Sequence, residues 1–203
     1  MYKLCIFGAG GFAKEVYWLA QQCGFEVDAF IDLQAKKYCA GKKVMTEDYL
    51  NPISHKVIVA VGNPQLRERI TNKIIEKYKY DIFQDIIALT ANIMSSNVDT
   101  GIGSVICANC ILTGDIKLGN FSQLNLATTI GHDVKTGDFF TTAPQVAISG
   151  NVTIGNNVYL GTNSSVIEGI NICDNVIIGA NACVTRDITE SGTYVGVPAK
   201  KIK

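Results

Sequence analysis

The chain has 203 residues, and its 18 Lys and Arg balance 18 Asp and Glu to give zero formal net charge. This balance argues against a protein that binds nucleic acid or an anionic membrane through overall charge. Hydrophobic residues make up 47% of the chain and charged residues 18%, which excludes a disordered chain and supplies a packed core.

The charged residues are unevenly distributed along the chain. Residues 1–90 hold 22 of the charged side chains, whereas residues 118–189 hold only seven. We therefore expect two different kinds of structure in the two parts.

The apolar segments and the cysteines predict the cellular compartment of the protein. No apolar run reaches the roughly 20 residues of a membrane-spanning helix, and the first residues lack a secretory signal, so we expect a cytoplasmic protein without membrane insertion. Seven scattered cysteines fit free thiols in a reducing compartment. Cys107 and Cys110 form one CxxC, but no second Cys/His pair lies at zinc-site spacing, so no metal is expected.

The first ninety residues alternate apolar runs with helical patterns. An apolar run at residues 2–7 ends in a glycine turn and is followed by helical spacing, and further strands are predicted at residues 27–31 and 57–61. Asn63 and Pro64 predict a helix start, and one helical face carries Leu66, Ile70, Ile74 and Tyr78. The pattern predicts an α/β, Rossmann-like βαβαβ domain over residues 1–88.

The glycine turn matches a loose dinucleotide-binding fingerprint. Gly8, Gly10 and Ala13 fit G-x-G-x-x-G/A, and Asp32 ends the next strand, where an acidic group would meet a ribose. The same glycines could simply make a tight turn. An NAD-dependent oxidoreductase would need a second βαβ half, yet the alternation stops near residue 85. The unit suits one nucleotide diphosphate, such as that of a nucleotide-activated sugar.

A six-residue period dominates the rest of the chain. Stepping by six from Leu118 to Val184 gives twelve positions, of which ten are aliphatic, and a second small or β-branched set follows each by four residues. Such a period predicts a solenoid of short parallel strands. Residues 92–117 look like further coil with the register interrupted near residues 113–117. A solenoid of this kind can also be a scaffold or an ice-binding surface.

The hexapeptide pattern, the amino-terminal GAGGFAKE, the internal AVGN and the closing VGVPAKKIK together resemble a known enzyme group. This group is the sialic acid O-acetyltransferases and bacillosamine N-acetyltransferases among the left-handed β-helix acetyltransferases. The resemblance implies an all-β left-handed parallel β-helix over residues 89–203, acetyl-CoA as co-substrate, a nucleotide-sugar acceptor and a homotrimer with active sites between neighbouring prisms.

The resemblance also implies roles for individual residues. It implies His132 as general base beside Asp133, Asn125 near the acceptor and the Gly150 N–H as oxyanion donor on the cofactor side. For CoA it implies the set Thr141, Gly150, Thr162, Ala180, Pro198 and Lys200. For the sugar nucleotide it implies the set Gly8, Gly10, Gly11, Phe12, Lys14, Asp32, Leu33, Gly62 and Asn63.

His132 is distinctive on the residues alone, because it falls in an outward slot of the hexad that begins at Ile130. A solvated turn histidine is the alternative to a catalytic one. As a neutral imidazole oriented by Asp133, His132 could accept a proton from an attacking amine or hydroxyl. A cysteine nucleophile with a covalent acetyl-enzyme is a second enzymatic possibility.

Three positions depart from the group that the chain resembles. Thr141 and Phe12 stand where histidines are common, and Leu33 stands where a second acidic residue is frequent. We predict an N-acetyltransferase of a 4-amino-4,6-dideoxysugar linked to UDP, dTDP or GDP, acting in surface-glycan biosynthesis. O-acetylation of sialic acid or a related sugar is the close alternative, and a non-catalytic nucleotide-binding scaffold is the alternative of another class.

Overall fold

In the computed structural model, residues 2–33 and 37–203 are described. The N-terminal domain has a five-stranded sheet in the order β3-β4-β2-β1-β5, in which β1, β2, β4 and β5 run parallel. Its strands are β1 (Lys3–Phe7), β2 (Val27–Ile31), β3 (Tyr38–Cys39), β4 (Lys42–Met45) and β5 (His55–Val59). The Rossmann-like arrangement predicted from the sequence is therefore observed.

Two strands of this sheet were not predicted. β3 and β4 form an antiparallel hairpin through Ala40 and Gly41, whose φ angles are 44° and 79°. Both strands are short and rich in lysine and tyrosine, so no apolar run marks them. β5 also lies two residues before the predicted position, because Ala60 and Val61 continue beyond the sheet edge.

Helices α1 (Gly11–Gln22) and α2 (Pro64–Tyr78) pack on this sheet, and short 3₁₀ turns lie at Glu47–Tyr49 and Tyr80–Ile82. Asn63 caps α2 as predicted, since its side-chain oxygen accepts a hydrogen bond from the Leu66 N–H at 2.8 Å. The predicted buried face of α2 is partly wrong. Leu66 is exposed, and the buried residues are Pro64, Arg67, Thr71 and Ile74.

The remainder of the chain coils into a parallel β-helix. Two-residue strands on successive coils pair in parallel, as in Gln123 with Thr141 and Thr141 with Tyr159. The first and largest sheet of the helix contains β6 (Ile86–Ile87), β8 (Val105–Ile106), β10 (Gln123–Leu124), β13 (Thr141–Thr142), β16 (Tyr159–Leu160), β19 (Val176–Ile178), β21 (Gly192–Val195) and β22 (Lys200–Lys201).

Two further sheets complete the triangular coil. The second contains β7 (Asn92–Ile93), β9 (Ile111–Leu112), β11 (Thr129–Ile130), β14 (Ala147–Ile148), β17 (Ser165–Val166) and β20 (Cys183–Val184). The third contains β12 (Lys135–Thr136), β15 (Thr153–Ile154) and β18 (Asn171–Ile172). The aliphatic hexad positions from Leu118 to Val184 are buried in one continuous core, as the period predicts.

The register of the early coils differs from the prediction. The hexad continues through residues 113–117, because Leu112 pairs with Ile130 and Lys117 with Lys135, both eighteen residues later. The extra residue lies earlier. Ile93 pairs with Leu112, nineteen residues later, whereas Asp99 pairs with Lys117, eighteen later, so the insertion falls between Ile93 and Asp99. Residues 113–115 are Thr, Gly and Asp, so the sequence pattern did not indicate the regular turn that lies there.

The first β-helix strand bears on the predicted domain boundary at residue 88. β6 begins at Ile86 and already pairs with β8. We therefore propose a boundary just before Ile86. Within residues 2–33 and 37–203, no helix combines the length and apolarity that crossing a bilayer requires.

Arg67 of α2 joins the two domains. Its side chain is fully buried, and its guanidinium donates to oxygens of both domains. In the β-helix these are Phe121 O at 3.0 Å, Phe139 O at 2.7 Å, Phe140 O at 3.4 Å, Gln123 Oε1 at 2.9 Å and Thr141 Oγ1 at 2.6 Å, and in the N-terminal domain Val61 O at 2.7 Å. Burial lowers the pKa of Arg67 to about 9, so the group remains charged at neutral pH.

Aromatic rings and a second polar contact surround Arg67 at this junction. The rings of Phe121 and Phe139 stack with centroids 5.3 Å apart, and Phe83 meets Phe121 edge-on at 4.8 Å. The Asn157 amide nitrogen donates to the Glu68 carboxylate at 2.9 Å. These contacts exclude water around the guanidinium and strengthen its hydrogen bonds.

We predict that Arg67→Met lowers the free energy of unfolding by about 3 kcal/mol or more, because it leaves several buried oxygens without a donor. Chemical denaturation monitored by circular dichroism measures this change. Glu68→Gln is the matched control, since it keeps an acceptor for Asn157 and should change stability by less than about 0.5 kcal/mol. Equal stabilities of Arg67→Met and the native chain would contradict the role of Arg67.

Candidate active site

His132 projects outward from the corner that follows β11. Its side chain is 59% exposed, and its Nδ1 lies 2.8 Å from Asp133 Oδ2. Because a carboxylate accepts hydrogen bonds, this contact assigns the proton to Nδ1 and leaves the Nε2 lone pair available to a substrate. Asp133 has φ of 61°, a left-handed conformation that aspartate tolerates.

Gly150 lies beside His132 in the next coil. A Cβ at Gly150 would come within 2.6 Å of both Cε1 and Nε2 of His132, so only glycine leaves room for the ring. The Gly150 N–H donates to no other residue of the described chain. Gly150 thus offers a backbone donor beside the imidazole, and its φ is not positive, so turn geometry alone does not require glycine there.

The acceptor cavity, as we name it, has a volume of about 480 Å³ and lies between the N-terminal domain and the first sheet of the β-helix. It brings together five residues that the sequence analysis singled out: Phe12, Gly62, Asn63, Asn125 and Thr141. The Asn125 side-chain oxygen accepts from the Leu126 N–H at 2.8 Å, so its amide nitrogen is the end that can reach a ligand. The cavity also contains Gln65, Gln123, Ala143, Tyr159 and Ile177, which sequence reasoning did not identify.

Thr141, which the resemblance assigns to the CoA side, lines the acceptor cavity, and its hydroxyl contacts Arg67. Its assignment to CoA stays a prediction. Phe12 lines the same cavity, so two of the three departures from the resembled group lie in one cavity.

A second cavity of about 320 Å³, which we name the nucleotide cavity, opens at the carboxyl ends of β1 and β2. Gly8, Asp32 and Leu33 line it, together with the cations Arg69 and Lys73 of α2. The Asp32 carboxylate accepts from the Ala9 N–H at 2.8 Å and therefore also stabilises the glycine turn. Arg69 and Lys73 were missed, although they lie four residues apart on one helical face, which is the signal that could have found them.

The glycine turn lies between the two cavities, since Gly8 lines the nucleotide cavity and Phe12 the acceptor cavity. Gly8 has φ of +100°, and a Cβ there would lie 2.9 Å from the Ala60 carbonyl oxygen. At Gly10 and Gly11 a Cβ would meet nothing within 4 Å. Gly8 is thus required by the fold, whereas Gly10 and Gly11 leave open space at the start of α1, beside the exposed Lys14.

Of the residues predicted to hold CoA, Thr162 and Ala180 lie along a different corner of the β-helix from His132 and Gly150. Thr162 and Ala180 are exposed in successive coils, and the Asn181 N–H donates to Thr162 O at 2.9 Å. This corner is the one that Asn125 and Ala143 occupy in earlier coils. The C-terminal segment returns over the last coil, where the Ala199 N–H donates to Cys183 O at 2.8 Å, and its neighbours Pro198 and Lys200 are exposed.

The two corners are separated by the second sheet of the β-helix. His132 and Gly150 follow its strands β11 and β14, whereas Asn125 precedes β11, and His132 does not line the acceptor cavity of its own chain. The outward residues of this sheet include the uncharged Thr129, Ala147, Ser165 and Cys183. One chain therefore presents the two halves of the predicted site on two sides of one uncharged face.

The other titratable candidates are structural. His55 is buried in β5, with Nε2 3.2 Å from Asp28 Oδ2. Burial raises the pKa of the Cys107 and Cys110 thiols to about 12 and about 11, which keeps them protonated and weakly nucleophilic at neutral pH. The described residues hold no cluster of three or more potential metal ligands.

Two family descriptions match the chain: residues 3–74 match the PglD N-terminal domain, and residues 151–186 match the bacterial transferase hexapeptide repeats. A variant of perosamine N-acetyltransferase from Caulobacter crescentus, in complex with CoA and GDP-perosamine, superimposes with a TM-score of 0.93 at 27% identity over 100% of this chain and 98% of that one. The chain therefore has the fold of these left-handed β-helix acetyltransferases and is similar to them along its whole length. The predicted fold class and the resemblance stated from the sequence are confirmed.

Two further proteins are similar to this chain. The acetyltransferase domain of PglB from Neisseria gonorrhoeae FA1090 is 29% identical, with a TM-score of 0.92 and complete coverage of both chains. GDP-perosamine N-acetyltransferase of Escherichia coli O157:H7 is 27% identical over 68% of this chain, and the match spans 66%, just under two thirds, of that relative.

The glycine turn yields a paired prediction. Gly8→Ala should lower the free energy of unfolding by about 1–3 kcal/mol, because an L residue is strained at this φ. Gly11→Ala should leave stability unchanged or slightly higher, since alanine favours a helix, yet it should weaken the binding of the nucleoside diphosphate expected at this turn, because the new methyl group occupies the open space. Thermal denaturation and calorimetric titration with UDP, dTDP and GDP measure the two effects. Affinities unchanged by Gly11→Ala would contradict a diphosphate site at this turn.

Proposed function

We propose that this protein transfers an acetyl group from acetyl-CoA to the 4-amino group of a nucleotide-linked 4-amino-4,6-dideoxysugar. The observation that carries the proposal is the exposed His132–Asp133 pair lying against Gly150, in a chain that also holds a nucleotide cavity and an acceptor cavity. The related perosamine enzymes act on a GDP-linked amino sugar, which favours an amine over a hydroxyl acceptor and GDP as the nucleotide.

His132 would act as the general base in a direct transfer. The acceptor nitrogen attacks the thioester carbonyl carbon while its proton passes to Nε2, and Asp133 stabilises the imidazolium that forms. The carbonyl oxygen becomes an oxyanion, to which the Gly150 N–H can donate. Collapse of the tetrahedral intermediate breaks the C–S bond, and His132 returns the proton to the CoA sulfur.

The nucleotide sugar would lie across the glycine turn. The nucleoside would occupy the nucleotide cavity, with Asp32 near the ribose, and the diphosphate would pass Gly10 and Gly11 at the positive end of α1. The sugar would then enter the acceptor cavity, where the Asn125 amide nitrogen can donate to it. CoA would follow the corner of Thr162 and Ala180 towards the C-terminal segment.

A second copy of the chain would complete the site. Because His132 and the acceptor cavity lie on opposite sides of the uncharged second sheet, packing that sheet against a neighbour can bring His132 of one chain to the cavity of another. A closed homotrimer satisfies this arrangement for every chain. It also covers a face that presents no charged strand residue from β9 to β20.

The cellular setting is part of the same proposal. The seven cysteines are free thiols, which fits a reducing compartment such as the cytoplasm. Nucleotide-linked amino sugars are activated donors for glycan assembly, so we propose a role in surface-glycan biosynthesis.

Substitution of the base tests the mechanism. His132→Ala should lower kcat by roughly 10²–10⁴-fold without changing the melting temperature, because the ring is exposed and contributes mainly proton transfer. Acetylation of GDP-perosamine followed by mass spectrometry measures the rate. Asp133→Asn should cause a smaller loss. Near-native turnover of His132→Ala, or a covalent acetyl-cysteine trapped on the enzyme, would exclude His132 as the base.

A mixing experiment tests the shared site. Gly62→Trp should block the acceptor cavity, since a side chain there meets no other atom of the chain within 4 Å of Cβ. Each of His132→Ala and Gly62→Trp should be inactive alone. Their co-expression should restore about a quarter of native activity, because some interfaces then combine an intact His132 with an intact cavity. Absence of recovery in a mixed oligomer would place both halves of the site in one chain.

A further inference from the structure

The acceptor cavity has a wall whose polar side chains are turned away from it. Gln123 Oε1 accepts from Arg67 Nη1 at 2.9 Å, and Gln123 Nε2 donates to Val59 O at 2.8 Å. Thr141 Oγ1 accepts from Arg67 Nη2 at 2.6 Å and donates to Phe139 O at 3.3 Å. Both side chains are buried, so the atoms they leave for the cavity are carbon.

The neighbouring hydroxyl is engaged in the same way. Thr142 Oγ1 accepts from the Asn125 N–H at 3.0 Å and lies 2.8 Å from Thr128 Oγ1. Ala143, Tyr159 and Ile177 continue this surface along the first sheet of the β-helix. A cavity that appears half polar from its residue types is therefore lined on this side mainly by methyl, methylene and aromatic carbon.

Such a wall discriminates between sugars. A sugar hydroxyl placed against Gln123, Thr141 and Thr142 would lose its hydrogen bonds to water and find no free side-chain partner there, whereas a methyl group would gain from burial. In a 4-amino-4,6-dideoxysugar the methyl group is C6. The polar ends of the acceptor, its amine and ring hydroxyls, can instead face the polar side chains of Asn125 and Gln65, which also line the cavity.

We propose that Arg67 is a positioning residue for substrate specificity: by binding Gln123 and Thr141 it holds an apolar wall that selects 6-deoxy over 6-hydroxy amino sugars. The inference rests on the proposed function, because it concerns the acceptor of that reaction. It gives a residue of α2 a role in choosing the sugar.

The test compares two acceptors that share GDP and differ only at C6, GDP-4-amino-4,6-dideoxymannose and GDP-4-amino-4-deoxymannose, with the full-length protein and acetyl-CoA. We expect kcat/KM to favour the 6-deoxy sugar by roughly 10- to 100-fold, the range that one methyl-sized contact in an apolar pocket provides. The difference should lie in the KM of the acceptor and not in that of acetyl-CoA. Equal values would overturn the apolar wall, whereas acetylation of neither sugar would overturn the proposed function and this inference together.

Three variants locate the effect. Thr141→Ser keeps the hydroxyl that binds Arg67 but removes the methyl group, so the preference should fall by roughly fourfold with an unchanged melting temperature. Arg67→Lys cannot hold both Gln123 and Thr141, so their polar atoms can turn into the cavity and the 6-hydroxy sugar should improve relative to the 6-deoxy sugar. Thr153→Ser, on the exposed third sheet, is the matched control.

Each result decides the proposal. If Arg67→Lys does not fold, Thr141→Ser alone still tests the wall. If the ratio of kcat/KM between the 6-deoxy and the 6-hydroxy sugar is the same in Thr141→Ser as in the native protein, the proposal that this wall selects the sugar is overturned. A preference that falls equally in Thr153→Ser would show that the change is not specific to the cavity, and would overturn it as well.

Discussion

A buried guanidinium holds the two parts of this protein together. Arg67 places a fully buried charge at the junction, and this charge is balanced by carbonyl dipoles and neutral side-chain oxygens from two successive coils. Because the guanidinium is buried, water cannot replace these bonds, and they favour one arrangement of the N-terminal domain on the β-helix. The acceptor cavity is the space that this docking leaves, and its shape depends on Arg67.

The eighteen-residue coil explains the distribution of the site residues. Because each coil repeats the last, positions eighteen residues apart form columns along the corners of the prism. One column brings Gly150 beneath His132, and another carries the turn residues Leu126, Pro144, Thr162 and Ala180. A rigid stack of this kind holds the imidazole of His132 beside the Gly150 N–H at no conformational cost, but a convex prism has no pocket of its own. The docked N-terminal domain supplies one wall, and in the proposed trimer a second copy of the chain would supply the other.

The two glycine-dependent features serve different ends. Position 8 requires glycine because its φ is positive and a side chain would collide with Ala60. Position 150 requires glycine because a side chain would collide with the imidazole of His132. Gly10 and Gly11 are required for neither reason and leave open space at the positive end of α1, which is what an approaching diphosphate requires. The glycines at these positions are therefore explained by three different physical reasons.

The sequence by itself determined the βαβ pattern, the hexad, the outward position of His132 and the Asn63 cap, because each depends on local periodicity or on neighbours within a few residues. It misplaced the early register shift and missed the β3–β4 hairpin. Only the tertiary structure decided the buried face of α2, since Arg67 looks like a surface residue until carbonyls from residues 54 to 73 positions away surround it. The polarity of the acceptor cavity was decided in the same way, because residue type does not say whether a hydroxyl faces the ligand or the guanidinium behind it.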